Sequence, residues 1–212
     1  MTTFYDEKIN CPCCNEKVTI SILGSTNSVR QYTDFHSQAM GYAPTPILMN
    51  TCPNCGFSGY AQDFKKRLDK NLKSQIRTAI TPLCQAETLN AGRRYELYAK
   101  IRQLAGDNVW ELGNHYLQGA WAAFDEGTAN EAHLRRLALD HFREALVQNL
   151  VPVDQEANIS YLIGELYRRI GELDAAHTWF NKVILRAETD KSWQNMAEFA
   201  TQQRDNPKEM FE

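Results

Sequence analysis

The sequence predicts a mainly α protein that carries a small β ribbon at its N-terminus. Three observations predict it. Two cysteine clusters, Cys11-Pro12-Cys13-Cys14-Asn15 and Cys52-Pro53-Asn54-Cys55-Gly56, lie next to short strand-like runs. From Thr81 onward apolar residues recur at the helical period, broken by glycine and proline. Between Ala157 and Asp190, Ile163, Gly164, Tyr167, Gly171, Ala176 and Phe180 fall where a tetratricopeptide-type helix–turn–helix unit of about 34 residues places its packing residues. With 212 residues the chain can form one domain or two small ones.

The ribbon comes first. Both clusters read Cys-Pro-x-Cys followed by Gly or Asn. A metal-binding knuckle turns the backbone toward the first sulfur and ends in a left-handed residue, which Gly adopts freely and Asn more readily than most. Two knuckles supply four thiolates, enough to close a tetrahedral Zn²⁺ site. Cys11, Cys14, Cys52 and Cys55 are therefore the expected ligands of a structural zinc ion. The intervening stretch is longer than the roughly 15–20 residues usual between such pairs. Lys17 to Leu23 alternates as a strand does, and Pro46 to Thr51 reads as a strand returning to the second knuckle.

Rival chemistries fit less well. A CPxC redox site needs a strand before the motif and a helix after it, and here a β-like run follows. A catalytic zinc needs an open position, which four cysteines do not leave. His36 could replace a ligand, but a lone histidine in a polar stretch reads as a loop residue. Cys84 reads as a small buried apolar residue, and Cys13 as a spare thiol inside the first knuckle.

The middle segment is basic. Phe64, Leu68, Leu72, Ile76 and Ile80 recur every four residues, as one amphipathic helix that Thr81-Pro82 would end. Lys65, Lys66, Arg67, Lys70, Lys73 and Arg77 cover its other faces and are candidate contacts for phosphates or an acidic partner. No aromatic residues interleave for base stacking. The charge is uneven along the chain: −1 over residues 1–60, +6 over 61–104 and −8 over 105–212. The basic helix could thus also dock on the acidic half.

The remaining helices follow the period. Arg94 to Ile101 forms one, ended near Gly106; Val109 to Phe124 forms a second and Leu134 to Leu150 a third, stopped by Pro152. Ala138 and Phe142 repeat the spacing of Ala176 and Phe180, 38 residues apart, which assigns about four extra residues to the 126–133 loop of the first unit. Trp193 to Ala200 is the expected cap, and the polar last dozen residues are expected to fray. Trp110, Trp121, Trp179 and Trp193 are candidates for either core or groove. His115, His133, His141 and His177 show no pairing with acids in sequence. The organisation expected is a zinc-ribbon-like domain at 1–62, a basic linking helix at 63–82 and a tetratricopeptide-like helical domain at 83–212.

Tyr32-Thr33-Asp34-Phe35, Pro46 and Cys52 to Phe57, behind an opening Cys-Pro-x-Cys, resemble a bacterial family known only as a domain of unknown function. The resemblance implies a zinc site and a helical C-terminal part, and no reaction. Asn15 stands where that family usually has glycine, and Cys13 is additional.

At 43% hydrophobic and 23% charged, the composition is that of a soluble globular chain, with no run near the ~18 apolar residues of a membrane span. MTTFYDEKIN lacks the basic and apolar regions of a secretion signal, so a cytoplasmic location and reduced thiols are expected. No Ser-His-Asp set, phosphate-binding glycine loop or paired-carboxylate motif occurs, and the chain is read as no enzyme. The leading expectation is an interaction or scaffold protein that binds another protein or peptide through its helices. The alternatives are a nucleic-acid-associated factor using the ribbon and the 64–77 helix, and a zinc switch released by oxidation of Cys11, Cys13 or Cys14.

Overall fold

A computed structural model of the chain describes residues 2–211. The chain opens with three two-stranded antiparallel hairpins. Strand β1 (Thr3–Asn10) pairs with β2 (Lys17–Ser25), and the Asn10↔Lys17 register places the first cysteine cluster in the turn. Strands β3 (Ser28–Gln31) and β4 (Ser37–Ala39) form the second hairpin. A single helical turn, α1 (Thr45–Leu48), precedes β5 (Asn50–Thr51), which pairs with β6 (Ser58–Gly59) around the second cluster. The strand expected from Pro46 is thus helical over its first half. Pro46 has no N–H to give a ladder and suits the first turn of a helix.

The basic segment is not one helix. Asp63–Lys65 makes a 3₁₀ turn, Lys66 is extended, and α2 (Lys70–Gln75) starts at Asp69, whose carboxylate accepts from the Leu72 N–H at 2.8 Å. Nor does Thr81-Pro82 end it. A π-helical turn, Ile76–Ile80, widens the backbone and leads into α3 (Thr81–Ala86), with Pro82 in its first turn. Proline lacks the N–H a tight helix would require there, and the wider turn lets the chain continue through it.

The helices α4 (Ala91–Ala105), α5 (Val109–Glu126), α6 (Glu131–Val147), α7 (Glu156–Arg169), α8 (Leu173–Thr189) and α9 (Gln194–Asp205) complete the mainly α fold. Asn108 and Glu111 form a reciprocal capping box at the start of α5. Gly164 on α7 faces Phe180 on α8 so closely that a methyl group would lie 2.7 Å from the ring, and Gly113 on α5 meets Phe142 on α6 at the same 2.7 Å. The α5/α6 pair is longer, but not through its loop as expected. Its additional residues extend both helices past the Gly113–Phe142 contact, and the turn is only Gly127–Asn130.

Up to Phe211 the C-terminal segment does not fray. Phe211 packs on Phe199 with ring centroids 4.3 Å apart, its N–H donates to the Gln31 carbonyl, and Met210 bridges to Tyr32. An aromatic anchor inside a core holds the polar residues before it.

The long stretch between the knuckles has a structural task. The tip of the β3–β4 hairpin, Tyr32 to His36, inserts among α5, α6 and α7. Asp34 and Arg135, each 1% exposed, pair at 2.6 Å. Burial alone would raise the Asp34 carboxyl, but Arg135 and then Arg169 outweigh it and hold its pKa below the ordinary value. The Thr33 hydroxyl donates to Glu165 at 2.6 Å, and the Tyr161 hydroxyl donates to the Thr33 carbonyl at 3.0 Å. His36 is no polar-loop residue: it is 4% exposed, stacked between Tyr32 and Trp121, with Nε2 at 3.2 Å from Asp125.

Candidate metal centre

Each cysteine cluster sits at the tip of a hairpin, and the two tips are built alike. In the first, the Cys11 N–H donates to the Glu16 carbonyl at 2.8 Å and the Asn15 N–H to the Cys11 carbonyl at 2.9 Å. In the second, the Cys52 N–H donates to the Phe57 carbonyl at 2.8 Å and the Gly56 N–H to the Cys52 carbonyl at 2.9 Å. Asn15 (φ 68°) and Gly56 (φ 76°) both close their turns in the left-handed region. Asparagine suffices at 15. At 56 a side chain would lie 2.8 Å from Cβ of Cys84, so glycine is required on packing grounds as well.

The two tips bring the Sγ atoms of Cys11, Cys14, Cys52 and Cys55 within 4.8 Å of one another. Cys11 lies 3.7 Å from Cys55, and Cys14 lies 3.6 Å from Cys52. A tetrahedral site with metal–sulfur bonds of ~2.3 Å has its sulfurs ~3.8 Å apart, so these residues fit a metal ion. All six cysteines are free thiols. Sulfurs this close cannot all ionise without a cation. Hydrogen bonds from Cys11 and then Cys55 push the Cys52 thiol far down, while Cys11 is pushed up, chiefly by Cys52, and Cys55 further up, chiefly by Cys11.

The other two cysteines border the set without joining it. Cys84 is buried, and its Sγ donates to the Pro53 carbonyl at 3.8 Å. Cys13 is buried as well, with Sγ 4.0 Å from the Lys73 carbonyl. Its pKa is lowered to about 7, chiefly by a hydrogen bond from Cys55; burial opposes this, and the charges of Arg77 and Lys73 add to it.

Those two cations come from the basic segment, whose candidate phosphate contacts are thereby placed. Arg77 donates to the Cys13 carbonyl at 3.4 Å, and with Lys73 it offsets the negative charge that four thiolates around a divalent ion would carry. Lys65 pairs with Glu7 at 2.7 Å and Lys66 with Asp63 at 2.8 Å. Arg67 and Lys70 are exposed. The apolar residues of the segment, Phe64, Ile76 and Ile80, share one core with the four clustered cysteines and with Leu97 and Ile101 of α4. His115, which showed no acidic partner in sequence, bonds Asp107 at 2.9 Å, eight residues earlier in the loop that leads into α5.

Fold and site together define a mainly helical protein whose N-terminal hairpins bring together, against its first helices, four cysteines that could hold a metal ion. The chain belongs to the bacterial family described as "Uncharacterized protein conserved in bacteria (DUF2225)", whose model matches residues 4–206. No curated protein and no solved structure matches it. Among the described residues, no helix is long and apolar enough to cross a membrane.

Proposed function

We propose that the chain is a non-catalytic, cytoplasmic interaction protein, in which a structural zinc ion locks the hairpins and the helices bind an extended segment of another protein. Four sulfur donors with no position left for water favour zinc in a structural role. Six free cysteines suit a reducing compartment. The α5/α6 and α7/α8 pairs, each closed by a glycine under a phenylalanine, support the tetratricopeptide-like reading and with it a surface made by neighbouring helices.

One observation carries the binding role. Trp110, Asn114 and Trp121 on α5 face Asn158 and Leu162 on α7 across a groove of about 300 Å³. Asn114 uses its amide N–H on the Trp110 carbonyl, and Asn158 uses its own on Gln155, so both amide oxygens remain to accept. The Trp121 indole N–H is buried without a partner. Two accepting amide oxygens between aromatic walls match backbone N–H groups of an extended peptide.

A displayed library of random peptides tests the reading. Enriched peptides should bind at least tenfold more weakly to Asn114→Ala and Asn158→Ala. Peptides that bind these variants equally well would place the surface elsewhere. Salt-dependent RNA or DNA binding that disappears on neutralising Arg67 and Lys70 would favour the nucleic-acid alternative.

A further inference from the structure

Arg94, in the first turn of α4, differs from every comparable arginine of the chain. Among the described residues, each other arginine that is not exposed is paired with a carboxylate: Arg93, Arg102, Arg135, Arg136, Arg168, Arg169 and Arg204. Among the described residues Arg94 has no acidic partner. One Nη donates to the Pro46 carbonyl at 2.5 Å, and its Nε is buried with no partner. An Nε left this way has lost water without gaining an acceptor.

The same side chain lines a pocket of about 380 Å³ between β2, β5 and α4, whose other polar residues are Thr19, Ser21, Asn50 and Thr51. Asn50 is fixed in the wall, since its amide accepts from the Ser21 N–H at 2.7 Å and donates to the Ser21 carbonyl at 3.1 Å. Among the described residues the Thr19 hydroxyl has no partner, so it is free to donate. Lys8 pairs in register with Thr19, and Lys17 lies two residues before it, so both amino groups stand on the strand face that borders the pocket. The one acid on that face is Asp6, which accepts from the Ser21 hydroxyl at 2.8 Å. Three cations against one already bonded carboxylate give the face a net positive charge.

We propose that this pocket binds the phosphate group of a small molecule, with the Arg94 guanidinium and the Thr19 hydroxyl as donors and Lys8 and Lys17 supplying charge. A guanidinium edge matches a tetrahedral oxyanion, which accepts two parallel N–H bonds. The pocket falls in the size range of small-molecule sites, and its remaining wall is aliphatic, so it accommodates an organic group beside the phosphate. The site is separate from the α5/α7 groove and does not depend on the reading of that groove.

Calorimetric titration of the full chain with inorganic phosphate, and in parallel with phenyl phosphate, tests the assignment at constant ionic strength. Saturable binding is expected, weakened at least tenfold by Arg94→Gln and several-fold by Thr19→Val, and unchanged by Arg67→Gln. Whichever probe binds more tightly identifies free phosphate or a phosphate ester as the ligand. Thr19 is exposed, so its variant reports on the site even if Arg94→Gln impairs folding. Absence of saturable binding by either probe, or binding undiminished in Thr19→Val and Arg94→Gln, would overturn the proposal.

Discussion

Replacing Asp34 by Asn tests how firmly the hairpin tip locks into the helices. Asp34 and Arg135 are both 1% exposed and 2.6 Å apart, so the change strands a buried guanidinium. Breaking a buried ion pair on one side costs about 3–5 kcal/mol. Arg135 keeps Glu131 at 2.8 Å through its Nε, which places Asp34→Asn at the low end, about 3 kcal/mol. At about 2–4 °C per kcal/mol for a chain of this length, the melting temperature should fall by about 6–12 °C. Arg135→Met strands a carboxylate that retains Arg169 only at 3.7 Å and should cost about 4 kcal/mol. The double variant removes both charges, so it should be less destabilised than the two changes added together, with a coupling of about 2–3 kcal/mol. Urea unfolding followed by circular dichroism measures all three. A single-variant loss below about 1 kcal/mol, or strict additivity, would refute the locked tip.

The same pair sets an acid response. The Asp34 pKa is lowered on folding, so its contribution is complete above about pH 4 and is lost as pH falls through the folded value; a urea series should show this loss in the wild type and a shallower one in Asp34→Asn. Gly56→Ala meets both a left-handed φ of 76° and a Cβ contact of 2.8 Å, and should cost about 2 kcal/mol or more together with weakened metal retention. Asn15→Gly occupies the matching position with less strain and should leave metal content unchanged, as elemental analysis would show. Gly164→Ala drives a methyl group against Phe180 and should cost about 1–3 kcal/mol by thermal unfolding.

Much of the fold was legible because local rules and tertiary context agreed. Glycine and proline punctuation placed α5 to within about two residues and α4 and α6 to within about four, and set the α7–α8 turn at Gly171, while the repeated Cys-Pro-x-Cys pattern picked out the four sulfurs that meet. What escaped depended on partners distant in sequence. Asp34 and Arg135 are 101 positions apart, and nothing near either predicts the other. A signal did exist at Arg135 itself: it lies in the stripe of Leu134, Ala138 and Leu139, where a charge demands a buried partner. The basic segment misled because its stripe ran unbroken past Asp69 and stopped just before Pro82, while capping and a π turn decided where its helices begin and how they pass the proline. Phe211 looked like part of a polar tail, yet one aromatic side chain sufficed to anchor it.

The central claim is that Cys11, Cys14, Cys52 and Cys55, and not Cys13 or Cys84, hold a metal ion. Elemental analysis of the purified chain and its serine variants tests it most directly. One zinc per chain is expected, lost in Cys52→Ser and retained in Cys13→Ser and Cys84→Ser. A metal-free chain with a Cys11–Cys14 disulfide, or zinc that survives Cys52→Ser and leaves with Cys13→Ser, would contradict it.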